Sequence, residues 1–466
     1  MKKINFLFTI MLAMTISLVT AQNSNGKLDK KTIKEIQDSF KHTPENTGLI
    51  NAITHSDIKT IAKSRENEGK VNHMINTKVK THGISNQRSS GRCWLYTGLN
   101  TLKPMILANL DIKDFEFSQT YNFFWDQFEK ANLFLEIAIA TANKPISDRK
   151  VEWMMKNPIG DGGQWTTFAD IVKKYGVVPA SAMPDSYQSK NTRMMSRLLA
   201  RKLREDAMEL RDLAANGTKA KNLTSTKIEM LKNIYRILVL SLGEPPQEFT
   251  WQYETKDGNA SDEKTYTPEA FYTEIVNVNV DDYVMFMNDP SREYYKLYEV
   301  EFDRNLVEGA NWKYINLPNE EIKKFAVKSL QGNEAMYFSC DVGKQFDSKE
   351  GYLDINLYNY NDLLGVNFGM DKSKRIQTFD SGSSHGMALV GVNVKKDGTT
   401  DKWLLENSWG TGKGNHGYLT MTDEWFSEYM FRLVINKKHI DGDILKILDK
   451  EATLLPPWDP MFAPEK

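Results

Sequence analysis

The stretch from Asn86 to Tyr96 constrains this chain more than any other part of its sequence. It reads Asn-Gln-Arg-Ser-Ser-Gly-Arg-Cys-Trp-Leu-Tyr, which places Gln87 six positions before Cys93. Apolar residues then recur at steps of three and four: Leu95, Leu99, Leu102 and Ile106. This spacing predicts that Cys93 lies at the start of a buried helix. The N–H groups at a helix start lower the pKa of a thiol and favour the nucleophilic thiolate. Gln87 can supply a side-chain amide which, with the Cys93 N–H, would hold the oxyanion of an acyl-transfer intermediate.

A cysteine in such a position is often only a small core residue, so catalysis requires further groups. In cysteine peptidases a histidine and then an asparagine or aspartate follow the cysteine along the chain. His385 begins one apolar, strand-like run, and Asn407 ends the next run 22 residues later, in Asn-Ser-Trp-Gly. On neighbouring strands Asn407 could orient the imidazole by accepting from one ring N–H, and Trp409 could shield that hydrogen bond. Each feature has a purely structural explanation when it is taken alone. His385 could be a histidine that is hydrogen-bonded within a sheet, and Asn-Ser-Trp-Gly could be a turn after a strand. These explanations do not account for the occurrence of both features together with Cys93 and Gln87.

The combined pattern resembles the papain superfamily of cysteine peptidases. Longer segments resemble the bleomycin hydrolase/aminopeptidase C family within it: residues 81–94, 115–126, 161–165, 421–429 and 458–461. The chain departs from the papain–cathepsin form at Ser90, where a disulfide cysteine is usual, and at Arg92, where Ser or Ala is usual. The resemblance implies an α+β fold with the two lobes of a papain-like peptidase, one helical and one an antiparallel β-sheet. We also expect a large helical insertion and arms at both ends of the chain.

We predict six segments along the chain. They are a signal peptide (1–21), an N-terminal arm (22–80), a helical catalytic lobe carrying Cys93 (81–190), an inserted helical hairpin region (191–269), a β-rich catalytic lobe carrying His385 and Asn407 (270–453), and a C-terminal arm entering the cleft (454–466). Alternation of apolar and β-branched residues predicts the strands of the second lobe: Val276–Phe286, Lys313–Leu317, Ala335–Cys340, Gly386–Val394, Trp403–Asn407, Tyr418–Met421 and Phe431–Asn436.

The insertion follows from the spacing of the candidate catalytic residues. Cys93 and His385 are 292 residues apart, whereas papain-like enzymes need about 130–150. Helical periodicity over Asn191–Ala215 and Thr224–Leu242 predicts a helical hairpin within the surplus. Basic residues gather near the start of its first helix: Lys190, Arg193, Arg197, Arg201, Lys202 and Arg204. They form either a solvated face or a basic surface that lines a cavity, which in the hexamers of this family would face a central channel.

The first residues of the chain have the pattern of a secretory signal peptide. Met1–Ala21 opens with two lysines, continues through an apolar core and ends in small residues before Gln22. The apolar core is too short for the roughly 20 residues that span a bilayer. We therefore expect export across the inner membrane to the periplasm or the medium, without a membrane span. Cys340 is expected to be a core residue on a strand, and no structural disulfide is expected.

Two further segments are candidates for substrate binding. Gly162 and Gly163 lie in Asp-Gly-Gly-Gln-Trp, and papain-like enzymes hold the substrate backbone against such a pair; the alternative is a plain turn before a helix. Residues 454–466 contain four prolines, which predicts a stiff extended arm and no helix. The resemblance implies that this arm enters the cleft. Its final carboxylate, on Lys466 unless that residue is trimmed, would block the non-primed side and pair with the α-amino group of a substrate.

The resemblance therefore implies a thiol aminopeptidase that acts on peptides with a free N-terminus, as a homohexamer. One rival is a papain-like endopeptidase, if the arm does not reach the cleft. The other is a hexameric nucleic-acid-binding assembly with secondary hydrolase activity, although the net charge of −1 excludes a globally basic binder. No cofactor is expected. No metal is expected either, because the sequence lacks His, Cys and carboxylate clusters at ligand spacing. The preferred N-terminal residue and the physiological peptides stay open at this point.

Overall fold

The computed structural model describes residues 26–81 and 83–462. The predicted signal peptide and Lys466 lie outside these residues. Contacts between residues separate a small unit from a large one. The small unit ends at Lys63 and also includes Asn359–Val366, and the large unit contains Ser64–Tyr358 and the chain from Asn367 onward.

Helices predominate up to Leu242, and most of the strands follow it. The helices are α1 Lys30–Ser39, α2 Pro44–His55, α3 Ile58–Ala62, α4 Arg65–Glu68, α5 Cys93–Asn109, α6 Gln119–Ala140, α7 Arg149–Lys156, α8 Trp165–Tyr175, α9 Tyr187–Lys190, α10 Arg193–Ala215, α11 Ala220–Leu242, α12 Pro268–Phe271, α13 Asn319–Gln331, α14 Tyr360–Leu364, α15 Lys372–Gln377, α16 Asp423–Tyr429 and α17 Gly442–Leu445. The strands are β1 Thr77–Lys78, β2 Phe249–Trp251, β3 Lys264–Tyr266, β4 Tyr283–Met287, β5 Lys296–Val300, β6 Lys313–Asn316, β7 Met336–Cys340, β8 Phe346–Asp347, β9 Tyr352–Leu353, β10 His385–Val394, β11 Thr400–Glu406, β12 Tyr418–Thr422, β13 Met430–Asn436 and β14 Thr453–Leu455.

The small unit consists of α1, α2, α3 and α14. Its first three helices each begin at a capping side chain, because Asp29, Thr43 and Asp57 accept hydrogen bonds from N–H groups of the first turn. The N–H of Asn359 donates to the carbonyl oxygen of Ala62 at 2.8 Å. This hydrogen bond joins the two chain segments of the unit.

The large unit is built on a twelve-stranded sheet with the order β14-β5-β6-β4-β13-β7-β10-β11-β12-β9-β8, in which β1 pairs with β10. The pairs β14–β5, β4–β6 and β12–β9 are parallel, and the other pairs are antiparallel. The predicted antiparallel lobe is therefore a mixed sheet. Parallel neighbours require a long crossover connection rather than a hairpin, which alternation within single strands does not reveal.

The centre of this sheet brings distant parts of the sequence together. β10 runs antiparallel to β11, with Ala388 opposite Glu406, so the start of β10 lies beside the residues that follow β11. Helix α5 packs on the same strand. A side chain on Gly386 would lie 3.1 Å from the Oγ1 of Thr97 and 3.6 Å from the Cα of Trp94. The first turn of α5 therefore lies against the start of β10.

The strand predicted over Val276–Phe286 is wrong in its first half. Residues Tyr272–Val276 form a π-helical turn and Val280–Asp282 a 3₁₀ turn, and the strand begins only at Tyr283. Asn277 adopts a left-handed φ of 50° between them, a conformation that asparagine tolerates better than most residues. The alternating Asn-Val pattern in this stretch thus imitates a strand while the asparagines support turns.

The C-terminal arm also differs from the prediction of a fully extended, non-helical segment. Its first part is extended, because Thr453–Leu455 pairs in parallel with β5. Pro460–Phe462 then forms a short 3₁₀ turn. Proline fits the first position of such a turn because its missing N–H is not needed there. The side chain of Asp459 accepts a hydrogen bond from the N–H of Met461 at 3.1 Å and so caps the turn.

The two helices predicted in the insertion are present as α10 and α11. α10 begins two residues later than expected, and α11 begins four residues earlier. α10 buries a regular apolar stripe that includes Leu199, Leu203 and Leu210.

Among the residues that the structure describes, no helix has the length and apolar character needed to cross a bilayer.

Candidate active site

Cys93 is the first residue of α5, as the sequence predicted. The helix begins without a side-chain cap and has no acidic residue in its first turn, so the partial positive charge of its N-terminus acts on the sulfur. Cys93 is buried. Its position therefore combines little access to water with an electrostatic field that favours a thiolate.

Arg92, which departs from the papain–cathepsin pattern, is a fully buried residue that supports the loop before the cysteine. Its Nε donates to the Oγ of Ser90 at 3.1 Å, and its Nη2 lies 3.4 Å from the hydroxyl of Tyr96. Nη1 lies 3.6 Å from a carboxylate oxygen of Asp185. In the sequence Arg92 stands out only as a departure from that pattern. Its unusual burial shows that it braces the loop between Gln87 and Cys93.

His385 and Asn407 are brought together by the β10–β11 pairing. The imidazole Nε2 lies 2.8 Å from the Oδ1 of Asn407, and both side chains are buried. Oδ1 also accepts from the N–H of Ser408 at 2.8 Å, which holds the amide in this orientation. Because Oδ1 can only accept, Nε2 carries the proton and Nδ1 is left as the acceptor that can face a thiol. The indole of Trp409 stacks on the imidazole with ring centroids 4.6 Å apart, as expected for a shield over this hydrogen bond.

Gln87 is held by the same segment. Its N–H donates to the carbonyl oxygen of Ser408 at 2.8 Å, and its Oε1 accepts from the Ser408 hydroxyl at 2.7 Å. One hydrogen of its Nε2 bonds the carbonyl oxygen of Ser90 at 2.7 Å. The amide nitrogen has a second hydrogen, which can bind an oxyanion. Ser408 was not predicted as a site residue, although its place in Asn-Ser-Trp-Gly is the signal that could have indicated it.

The second cysteine lies close to this site but differs from Cys93 in its environment. Cys340 is the last residue of β7 and is paired in register with His385. Burial, together with the negative charges of Asp341 and Cys93, raises its pKa well above that of an ordinary thiol. Cys340 is therefore a protonated core residue on a strand, as predicted.

The two candidate glycines have different roles in the packing. Both line a cavity of about 460 Å³ that also includes Gly91 and Ser383. A Cβ on Gly162 would meet no atom within 4 Å, so this position leaves open space for a ligand backbone. A Cβ on Gly163 would lie 2.7 Å from the indole of Trp94, so packing alone requires a glycine there. The helix that follows begins at Trp165, with Gln164 as its cap.

Comparison with known proteins shows to which family this chain belongs. Residues 27–462 match the model of the peptidase C1-like family. The chain belongs to this family. Bleomycin hydrolase from Homo sapiens is 38% identical over 451 residues, which cover 94% of this chain and 99% of that protein. Aminopeptidase C from Streptococcus thermophilus is 37% identical over 415 residues, which cover 89% of this chain and 93% of that protein.

A solved structure supports the same assignment. The crystal structure of PepW from Lactobacillus rhamnosis HN001 matches with a TM-score of 0.91 and 36% identity, covering 94% of this chain and 99% of that chain. The predicted papain-like α+β fold and the predicted relationship to bleomycin hydrolase and aminopeptidase C are thereby confirmed. The chain is a cysteine peptidase. In the part of the chain that the structure describes, no group of three or more His, Cys, Asp or Glu side chains is arranged to hold a metal ion.

The C-terminal arm of this peptidase reaches the cavity that contains the glycines. Pro457 and Phe462 both line it. The ring of Phe462 packs edge-on against Trp312 with centroids 4.8 Å apart, and Met461 is buried. The guanidinium of Arg149 lies 4.4 Å from the ring centroid of Trp458. The last described turn of the arm is therefore packed into the wall of this cavity.

Arg292 fastens the arm through a buried ion pair. Its Nε donates to Asp289 at 2.6 Å, and its Nη2 donates to Asp459 of the arm at 2.5 Å. Both carboxylates are buried. Arg292 could not be identified from the sequence, because the two ends of its contact with Asp459 are 167 residues apart and neither carries a motif for pairing.

The protonation of His385 gives a testable pH dependence. Burial lowers its pKa to about 4, and the hydrogen bond to Asn407 acts in the opposite direction. The imidazole must be neutral to accept the thiol proton, so kcat/KM is expected to fall as the pH falls through about 4 rather than through the ordinary value of 6.5. Asn407→Ala should move this acidic limb to lower pH and also reduce kcat. The measurement is kcat/KM against pH for both proteins, and an acidic limb at about pH 6.5 in the unmodified enzyme would contradict the expectation.

Proposed function

We propose that this peptidase is a thiol aminopeptidase that removes N-terminal residues from peptides through an acyl-enzyme on Cys93. Relatives that bear such names support the proposal: aminopeptidase C, and aminopeptidase G from Lactobacillus delbrueckii subsp. lactis, which is 38% identical over 433 residues covering 93% of this chain and 99% of that protein. The main support for the proposal is the hydrogen bond between His385 and Asn407. It lies at the start of β10, and the first turn of the helix that begins at Cys93 packs against the same strand.

The proposed reaction uses the groups in the order that their geometry allows. Neutral His385 accepts the proton of Cys93 on Nδ1 while Nε2 stays bonded to Asn407. The thiolate attacks the carbonyl carbon of the first substrate residue. The Cys93 N–H and the second amide hydrogen of Gln87 bind the resulting oxyanion. The imidazolium then protonates the leaving amine, and the same histidine activates the water that hydrolyses the thioester.

In this proposal the C-terminal arm selects for a free N-terminus. Phe462, its last described residue, lines the cavity beside Gly162, and residues 463–466 follow. A carboxylate at Lys466, or at the residue that ends a trimmed arm, would pair with the substrate α-amino group. It would leave room for only one residue on the non-primed side. Gly162 would hold the substrate backbone there, and Trp409 would border the cleft.

The test compares two reporters with the same leaving group, one with a free α-amino group and one with an acetylated one. A charge-assisted hydrogen bond contributes about 1.5–3 kcal/mol, so the free amine should be preferred by about ten- to a hundredfold in kcat/KM. Equal turnover of both reporters would instead identify an endopeptidase of the same chemistry.

We also propose that the protein is exported and assembles as a homohexamer. The signal-like pattern of residues 1–21 supports export to the periplasm or the medium, and the family resemblance supports the hexamer. Mass spectrometry of protein recovered from outside the inner membrane should give an N-terminus at Gln22, and light scattering should give about six times the chain mass. A protein retained in the cytoplasm with an intact N-terminus would contradict the proposed export. A monomer in solution would contradict the proposed hexamer.

A further inference from the structure

A second cavity beside the cleft has a concentrated positive charge. It has a volume of about 780 Å³ and lies between the loop before Cys93 and helix α10. We call it the arginine groove, and its charged lining residues are Arg88, Asp161, Arg193, Arg197 and Arg204. The sequence alone left two interpretations for the α10 cations, a solvated face or the lining of a cavity. The structure places three of them on the wall of a cavity.

The groove side of α10 is regular. Arg193, Arg197, Ala200 and Arg204 follow one another at steps of four, three and four residues, so they lie on one face of the helix. The small side chain of Ala200 leaves space between the arginines. Lys202 belongs to a different face, where it pairs with Glu205 at 2.8 Å and with Asp206 at 2.9 Å. Its charge is neutralised locally and does not contribute to the groove.

The single carboxylate of the groove is already occupied. Asp161 accepts hydrogen bonds from the N–H of Gly91 at 3.2 Å, from the hydroxyl of Ser196 at 2.8 Å and from the hydroxyl of Thr192. Arg204 is also occupied, since its guanidinium donates to two backbone carbonyl oxygens of α7. Asp161 is thus part of the wall and holds it together.

The remaining three guanidinium groups are available to a ligand. Arg88, Arg193 and Arg197 are exposed, and within residues 26–81 and 83–462 none of them lies within 4 Å of a carboxylate oxygen. A guanidinium binds a carboxylate through two parallel hydrogen bonds, which suits it to this anion better than an ammonium. The groove therefore presents a surplus of three positive charges with unused donors.

The position of the groove relates it to the first residue of a substrate. Gly91, Ile159 and Asp161 line both the groove and the cavity that contains Gly162, so they form the wall between the two. Gly91 lies two residues before Cys93, and Asp161 directly precedes Gly162. A residue acylated on Cys93, with its backbone along Gly162, has its side chain beside this wall. We expect an extended side chain of three or four bonds to reach across this wall to the rim of the groove.

We propose that the arginine groove binds the carboxylate side chain of an acidic N-terminal residue, aspartate or glutamate, in the peptide substrate. This inference rests on the proposed aminopeptidase function and specifies one class of its substrates. Arg193 and Arg197 supply the paired donors from α10, and Arg88 supplies a third from the loop.

The experiment uses the full-length enzyme and two reporters that differ only in the first residue, glutamate or glutamine. These side chains have the same shape and differ in charge, so the ratio of their kcat/KM values isolates the carboxylate. We expect the glutamate reporter to be preferred in the unmodified enzyme. In the double variant Arg193→Gln/Arg197→Gln the ratio of glutamate to glutamine should fall at least tenfold. The matched control is Arg201→Gln on the same helix, which does not line the groove and should keep the original ratio.

The outcomes separate the groove from the function on which it depends. A glutamate-to-glutamine ratio near one in the unmodified enzyme, or an unchanged ratio in the double variant, would overturn the groove proposal and leave the aminopeptidase intact. An unmodified enzyme that cleaves neither reporter nor an alanine reporter would overturn the function and the groove proposal with it. Inhibition by a single-stranded oligonucleotide that the double variant abolishes, without a change in the ratio, would assign the groove to nucleic acid instead.

Discussion

Replacement of Cys93 by alanine should reduce turnover of a free-amine reporter by at least about a thousandfold. The proposed reaction forms a thioester on this sulfur, and no step can proceed by that route without it. The fold should survive, because Cys93 is a small residue at the first position of α5 and alanine is a good helix former. Thermal unfolding should therefore shift by no more than about 3 °C.

The matched control is Cys340→Ala, which removes the other cysteine of the chain. Cys340 is a buried thiol on β7, and burial keeps it protonated. This variant should lose some stability, because a cavity replaces the sulfur in a packed core, and yet retain turnover. Residual activity of Cys93→Ala above about a thousandth of the original would indicate a different nucleophile. If Cys340→Ala then lost its activity, Cys340 would be that nucleophile.

The parts of the site that could be predicted from the sequence are those that depend on local patterns. The apolar spacing after Cys93 was sufficient to predict the helix that begins there. Two consecutive strand-like runs were sufficient to predict that His385 and Asn407 would meet, because consecutive strands usually pair as antiparallel neighbours. In each case the signal lies within a few residues of the feature that it predicts.

The features that were missed depend on contacts between distant residues or on competition between local conformations. Gly162 and Gly163 look equivalent in the sequence, but only the structure shows that the indole of Trp94 excludes a side chain from the second. The strand predicted from Val276 failed because Asn277 adopts a left-handed conformation within an alternating pattern. The contact of Arg292 with the C-terminal arm could not be predicted either, since a charged residue near a turn gives no indication of a partner far along the chain.

That last contact leads to the second large expected effect: Arg292→Met should allow the enzyme to cleave an N-acetylated reporter. Arg292 lies between Asp289 and Asp459, and all three side chains are largely buried. Removal of one partner from a buried pair costs about 3–5 kcal/mol, because the remaining charge has no compensation. Asp459 can relieve this cost by moving into water. It begins the turn that carries Phe462 to the wall of the cavity beside Gly162, so this movement would withdraw the end of the arm.

The measured quantity is the ratio of kcat/KM for the acetylated reporter to that for the free amine, which should rise at least about tenfold in the variant. A chain that ends at Trp458 sets the upper limit of this change, since it lacks the turn entirely. Lys296→Met is the matched control: the ion pair between Lys296 and Glu293 lies nearby but is exposed, and exposed pairs contribute little to stability.

Arg292→Lys should give an intermediate ratio, because an ammonium keeps the charge but loses the ability of the guanidinium to bind two carboxylates in fixed directions. If the shortened chain accepts the acetylated reporter while Arg292→Met does not, the arm gates the cleft but is held by its packing against Trp312 rather than by this ion pair.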